Sequence, residues 1–332
     1  MSKGSGTYAS RLKAYPAKGV CGLPETYDSS DTLSTKLNTL TTWWKAATNV
    51  CVLTGAGIST SAGISDFRGP QGVWTLELER EKQEHKSRKR KRSQQFGKRR
   101  RKKSTGSNSN SNSNSNSNST TTLFPPAFNS TSSSTGSTPT PTVSSFQAAR
   151  PTLTHRALTA LVVHGKLNYV VTQNVDGLHQ RAGLQRDKLA ILHGCVFEEQ
   201  CEDCRALYFR DKEVDSISFQ PTGNTCIKCS GMCRDTLLDW EDALPEDQLC
   251  PSEEQCRRAD LIVTLGTSLR IEPAGSLPLL CKETKHKGRV VIVNLQETPK
   301  DHASDMLIRA RVDNVMAKIA LELLGEGWDD GA

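Results

Sequence analysis

The sequence predicts an α/β protein, with a Rossmann-like parallel sheet covered by helices on both faces, a smaller cysteine-rich module and a long disordered insert. Three observations predict it. Short apolar, β-branched runs at 49–54, Tyr169–Thr172, Leu261–Leu265 and 290–295 alternate with stretches of helical periodicity, the rhythm of a sheet built from parallel crossovers. A stretch at 195–235 holding six of the eleven cysteines breaks that rhythm. Residues 104–143 are almost entirely Ser, Thr, Asn, Gly and Pro, a composition that cannot bury enough apolar area to offset the entropy of ordering it.

Taken in order, 31–48 reads as a helix with Leu33, Leu37, Leu40, Trp43 and Trp44 on one stripe. The run 49–54 ends at Gly55 and suits a buried parallel strand. Residues 55–74 are rich in Gly and small side chains, and 77–145 is predicted to be a disordered insert. Order resumes near Phe146. A helix follows over 151–164 with Pro151 at its first turn, and Val312–Leu324 closes the chain as an amphipathic helix. One large domain is therefore expected from 1–76 and 146–332, with a small module at 195–235.

The net charge of +7 is unevenly placed. Twelve Lys and Arg and no acid lie in 86–103, and without them 31 basic residues face 36 acidic ones, so the folded part is mildly acidic. Eleven cysteines without an N-terminal basic-then-apolar signal point to a reducing compartment. Every apolar run falls short of the roughly 18 residues a membrane span needs.

Four motifs carry chemistry. Gly55 to Gly57 forms a turn after a strand, predicted to open a helix, where backbone amides suit a pyrophosphate. It departs from G-x-G-x-x-G, since the next glycine is Gly63, and a tight structural turn is the alternative. Cys201-x-x-Cys204 and, 21 residues later, Cys226-x-x-Cys229 are two thiol pairs at the spacing of a zinc ribbon. No His or acid supplies an open coordination position, so the metal is expected to be structural, with Cys233 a spare. Gln173, Asn174 and Asp176 follow the strand Tyr169–Thr172, where open α/β sheets bind ligands; a polar turn is the other reading. His193, in Leu192-His193-Gly194, is either a satisfied structural histidine or a general base.

Together these residues resemble the sirtuin family. The resemblance rests on an ordered series: Gly55-Ala56-Gly57-Ile58-Ser59, Asp66-Phe67-Arg68-Gly69-Pro70, Gln173-Asn174-Val175-Asp176, His193-Gly194, the two cysteine pairs and Gly266-Thr267-Ser268. It covers about 10–76 and 146–324. Finer matches, at 18–25, 69–75, 234–242 and 292–296, point to the class IV, chromatin-associated branch and its sirtuin-six type. The resemblance implies an NAD-dependent protein-lysine deacylase. His193 would be the base, with Asn174 and Asp176 near the nicotinamide and the attacked ribose carbon. Gly55, Ala56, Gly57, Ser59, Thr60, Asp66, Phe67, Arg68, Trp74, Gln173, Gly266, Thr267, Ser268, Asn294, Gln296 and Val312 would form the NAD site. Trp240 would border the acyl-lysine channel, and Cys201, Cys204, Cys226 and Cys229 would hold zinc. Transfer of ADP-ribose to protein on the same site, a catalytically weak chromatin-binding module and a plain NAD dehydrogenase are the rival readings. The two basic clusters in 86–103 resemble a bipartite nuclear import signal, and would also bind nucleic acid or chromatin non-specifically. Histones in the nucleus are the expected substrate.

Overall fold

The computed structural model describes residues 8, 12–13, 18–104, 146–285 and 287–329, with side chains in the helix that ends at Ser104 described only through residue 89. The chain divides into two compact units, Met1–Leu76 with Val143–Ala332, and Glu77–Thr142.

In the first unit six parallel strands form one sheet: β1 (Val50–Thr54), β2 (Tyr169–Thr172), β3 (Leu189–Ile191), β8 (Leu261–Leu265), β9 (Arg289–Val293) and β10 (Met306–Ile308). Their order is β10-β9-β8-β1-β2-β3. Successive side chains of a strand point to opposite faces, and both faces are buried. Val50 and Val52 join Val170, Val263 and Val291 in one cluster, under the helices α1 (Ser30–Ala46) and α6 (Val312–Leu324). Cys51 and Leu53 join Val171, Ile262 and Ile292 in the other, under α5 (Glu246–Arg258) and a 3-10 helix at Ala274–Lys282. That two-sided burial is why the strands read as continuous apolar runs rather than alternating ones.

Local signals set the helices. Ser29 caps α1 by accepting from the Thr32 amide, with Asp31 in the first turn and Lys45 in the last, each complementing the helix dipole. Trp44 seals the helix to the sheet by donating its indole N–H to the Lys166 carbonyl at 2.7 Å. The helix α3 (Leu153–Val163) opens on a capping box between Thr152 and His155.

Between β3 and β8 lies an antiparallel sheet of β4 (Glu198–Cys201), β5 (Leu207–Phe209), β6 (Pro221–Thr225) and β7 (Met232–Asp235), ordered β5-β4-β7-β6. It occupies the stretch 195–235 that was expected to form a small module. Among the described residues no helix is long and apolar enough to cross a membrane.

The structure corrects two expectations. No α-helix follows β1; the glycine-bearing segment makes two single 3-10 turns, Ala56–Ile58 and Thr60–Ala62, ended by Gly63 at φ 80°. Small residues and a left-handed glycine favour tight turns over a continuing helix. The insert is not disordered from residue 77: the helix α2 (Val73–Ser104) runs into it. Lys, Arg, Glu and Gln are strong helix formers, and a Glu84–Arg88 pair at 3.5 Å adds i,i+4 support. Disorder expected over 105–145 falls outside the described residues. The short strands β3 and β10 and the polar helix α5 are additions that no periodicity marked.

Candidate active site and metal centre

The chain crosses from β1 to β2 and β3 on one side and returns to β8 on the other. This reversal opens a crevice at the carboxyl ends of β1 and β8, the place where open α/β sheets take ligands. Two loops meet there backbone to backbone. Gly57 donates its amide to the Gly266 carbonyl at 2.8 Å. A Cβ on Gly57 would lie 2.8 Å from the Gly266 Cα, and one on Gly55 2.6 Å from the Thr267 Cβ. Gly266 itself sits at φ +60°. The glycines are thus demanded first by the contact between loops.

The loop after β2 supplies the polar side chains. Asn174 donates to the Gly55 carbonyl at 3.1 Å and to Ser59 Oγ at 3.2 Å. Ser59 in turn donates to Asp176 Oδ2 at 2.7 Å, while Oδ1 accepts the Leu178 amide at 2.9 Å. Asp176 is buried, and burial raises its pKa against the opposing pull of these donors. Gln173 donates to Thr267 Oγ1 at 3.0 Å, tying the β2 and β8 loops.

His193 lies beside them. Its Nδ1 is 2.9 Å from the Gln173 carbonyl. A carbonyl only accepts, so Nδ1 carries the proton and Nε2 holds the basic lone pair. Burial lowers the His193 pKa, partly offset by that hydrogen bond. The following Gly194, at φ +77°, leaves no room for a side chain, since a Cβ would overlap the Thr236 carbonyl. This close approach fixes the His193 backbone against the segment leading to Trp240, whose neighbour Leu238 donates its amide to the His193 carbonyl at 3.2 Å.

A third wall comes from the segment before α2. Asp66 turns into its own loop and accepts the Gly69 amide at 2.9 Å; burial raises its pKa. It therefore shapes the loop. Trp74 joins the ring of Phe67 at 4.9 Å to that of Trp240 at 5.0 Å, with the Arg68 guanidinium 4.4 Å over its own ring. Thr60 is exposed and donates to the Gly57 carbonyl at 3.1 Å. Half-buried Ser268 follows Thr267, and Val312 is buried at the start of α6.

Past β9, Asn294 donates to the Gln296 carbonyl at 2.9 Å, and Gln296 donates to the Leu23 carbonyl at 2.6 Å. Both are held by a residue the sequence did not single out. Arg309 donates to the carbonyls of Asn294 and Gln296, each at 2.8 Å, and pairs with Asp301. An arginine after a three-residue strand carries no motif, so only the structure could reveal it.

The four expected metal ligands come together. The sulfurs of Cys201, Cys204, Cys226 and Cys229 all lie within 4.8 Å of one another. Cys201 and Cys229 are 3.4 Å apart, and Cys204 and Cys226 are 3.5 Å apart. Four thiolates at the usual Zn–S distance of about 2.3 Å would be about 3.8 Å apart. Two matching turns present them: Arg205 donates its amide to the Cys201 carbonyl and Ser230 to that of Cys226, each at a positive φ (59° and 62°). An all-thiolate, four-ligand set fits structural zinc and leaves no open position. Cys233 is buried opposite Cys201 on β7, outside this group.

A parallel sheet with a glycine-lined crevice, a histidine with one ring nitrogen held by a backbone carbonyl and an attached four-cysteine module define a nucleotide-type α/β enzyme class with a structural metal. Residues 136–273 match the Sir2 family. The "NAD-dependent protein deacetylase Sirt6" of Drosophila melanogaster is 37% identical over 96% of this chain and 84% of its own length. The rice "NAD-dependent protein deacetylase SRT1" (Oryza sativa subsp. indica) is 40% identical over 94% of this chain but 53% of its own, so the chain spans about half of that relative. A solved "Sir2-p53 peptide-NAD+" structure is 28% identical, with a TM-score of 0.54 over 86% of this chain and 98% of its own. The chain belongs to the Sir2 family.

Proposed function

We propose that this protein is an NAD-dependent protein-lysine deacylase that binds NAD in the crevice, holds zinc in the four-cysteine module and acts on histones or other nuclear proteins. The observation that carries the reading is His193: one ring nitrogen is spent on the Gln173 carbonyl at the head of the Asn174–Asp176 loop, which leaves Nε2 as the basic nitrogen. The names of the relatives, and a Sir2 structure solved with peptide and NAD, support the same chemistry.

The residues fit the dinucleotide. The loop Gly55 to Ser59 has little side-chain bulk, and its neighbours Gln173, Asn174, Ser268 and Asn294 are uncharged polar groups that suit phosphate and ribose oxygens. Phe67, Arg68 and Trp74 close one side, and Thr60, Gln296 and Val312 border the rest. Bound NAD supplies an electrophilic ribose carbon, nicotinamide as leaving group and a ribose hydroxyl that ends up carrying the acyl group. The protein's part is positional and proton-transferring. Asn174, anchored to Gly55 and Ser59, and Asp176 orient the polar end of the crevice. Trp240 lines the approach of the acyl-lysine chain. His193 Nε2 would take the hydroxyl proton at the step that moves the acyl group off lysine, as a neutral imidazole with a free lone pair can. Zinc holds the fold of the small module and takes no part in the chemistry.

The twelve positive charges in 86–103 form the partner-binding part of this proposal. They neutralise phosphates of nucleic acid or chromatin without reading sequence, and they serve as the nuclear import signal. The deciding experiment is mass spectrometry of the products from NAD with acetylated and with myristoylated histone peptides. Free lysine peptide with O-acyl-ADP-ribose is expected. ADP-ribosylated protein without deacylation, or no nicotinamide release, overturns the reading.

A further inference from the structure

Two buried histidines stand behind the glycine-bearing loop, outside the proposed chemistry. His155 lies in the first turn of α3 and is 0% exposed; His179, in the short helix α4 (Leu178–Arg181), is 2% exposed. Their ring centroids are 4.7 Å apart at an interplanar angle of 59°. Each ring uses one nitrogen. His155 Nδ1 accepts the Thr152 amide at 3.2 Å and meets Thr152 Oγ1 at 2.8 Å. His179 Nε2 meets Thr54 Oγ1 at 3.0 Å. The other two, His155 Nε2 and His179 Nδ1, are buried with no hydrogen-bond partner in the protein.

The backbone fixes one of the protons. A backbone N–H donates to His155 Nδ1, so a neutral His155 carries its proton on Nε2. Thr54 Oγ1 lies 3.0 Å from His179 Nε2 and 3.5 Å from the Val171 carbonyl, which can take the hydroxyl proton when Nε2 is itself protonated. A His179 that donates from Nε2 presents a lone pair at Nδ1, the complement of the His155 N–H. The two leftover nitrogens are one donor and one acceptor, on neighbouring rings. Buried polar groups without partners destabilise a fold, and a water with two bonds of about 2.9 Å joins such a pair.

What the pair touches gives it a role. Thr54 is the last residue before Gly55. The Thr152 hydroxyl shares its one proton between His155 Nδ1 at 2.8 Å and the Ile58 carbonyl at 3.0 Å. The two histidines thus reach both ends of the segment between Thr54 and Ile58. We propose that His155 and His179 form a neutral pair bridged by one buried water, and that the pair holds the loop 55–58 in the shape that receives the dinucleotide's phosphates. The phosphate-binding half rests on the function proposed above. The histidines are positioning residues, since they act through Thr54 and Thr152.

Three readouts test it on the full, zinc-loaded chain. Long-range proton–nitrogen NMR of histidine-labelled protein at neutral pH should show both rings as Nε2–H tautomers, with a cross-peak from the His155 ring N–H to a slowly exchanging water. A charged ring, a proton on His155 Nδ1, or no water contact overturns the bridge. Amide exchange reads the loop without any ligand. His179→Phe keeps the ring volume but removes both nitrogens, and should speed exchange at Gly57 and Ile58 at least tenfold; His179→Gln, which restores a donor to Thr54, should recover most of the protection. Thr54→Val reads the same link should the Phe variant not fold. Unchanged exchange in His179→Phe, or in Thr54→Val where that is the variant read, overturns the positioning role. Titration with ADP-ribose completes the set: His179→Phe should bind at least tenfold more weakly at unchanged zinc content, and binding within twofold of wild type rejects the link to phosphate. If the wild-type chain itself binds no ADP-ribose while NMR and exchange behave as expected, the functional reading fails and the histidine staple stands.

Discussion

At the scale of single residues, the site depends on which nitrogen or oxygen is already engaged. His193 has Nδ1 committed to a carbonyl, so His193→Tyr should reduce deacylation by at least a hundredfold while the melting temperature stays within a few degrees. Peptide turnover within tenfold of wild type would refute the assignment. Burial lowers the His193 pKa, and a base must be neutral to act. The acidic limb of kcat/KM should therefore have its midpoint below the usual histidine value of about 6.5; a midpoint at or above that value contradicts the proposed base. The inner pair behaves differently. Burial lowers the pKa of His179 to about 3 and that of His155 well below the usual value. Both take up protons in the unfolded chain before the folded one, so stability is retained above about pH 6.5 and lost as pH falls below it. The slope is up to about 1.4 kcal/mol per pH unit for each histidine. Urea melts between neutral pH and pH 5 should show this fall, reduced in His179→Gln; an equal fall in both proteins counts against it. The sequence marked His193 through its place ahead of the cysteine module. It marked neither His155 nor His179 as a pair, because their proximity is created by packing α3 against the loop after β2.

At the scale of elements, the cysteine module shows what spacing can and cannot reveal. Two C-x-x-C pairs announced the ligand set, and the structure brings those four sulfurs together while leaving Cys233 aside. A site that exists only in the folded module adds its metal-binding free energy to folding. Cys201→Ser should thus release zinc and unfold the module, while Cys233→Ser should do neither. Metal analysis showing stoichiometric zinc in the first variant, or its loss in the second, rejects the ligand set. The strands β1, β2 and β8 were legible because burial on both faces makes them uninterrupted apolar runs. β3 and β10 are three residues each, too short for any periodicity. The glycine segment was legible as a turn but not in its form. Its glycines answer to Gly266, more than 200 residues away in the chain, and no local pattern reports such a contact. Gly57→Ala places a methyl 2.8 Å from the Gly266 Cα. It should weaken ADP-ribose binding at least tenfold; unchanged affinity would show that the two loops can move apart at little cost.

At the scale of the whole molecule, charge and fold are separable. The chain's excess of positive charge comes from 86–103, in the unit Glu77–Thr142. Deleting 86–143 should leave a soluble, more acidic protein that still turns over a small acyl-peptide. It should accumulate less in the nucleus, and its binding to nucleosomes should weaken and depend less steeply on salt. Loss of peptide turnover in a folded deletion protein would place the insert in the active site. The order of strands also has a consequence for synthesis. β1 occupies the middle of the sheet and pairs with β2 on one side and β8 on the other. A ribosome delivers β8 roughly 200 residues after β1, which at about 5–20 residues per second is on the order of ten seconds or more. Through that interval a fully buried strand of the finished sheet has an open edge, the arrangement most prone to pairing with another chain. Nascent chains stalled before Leu261 should accordingly need a chaperone to stay soluble, and those stalled well past Leu265 should not.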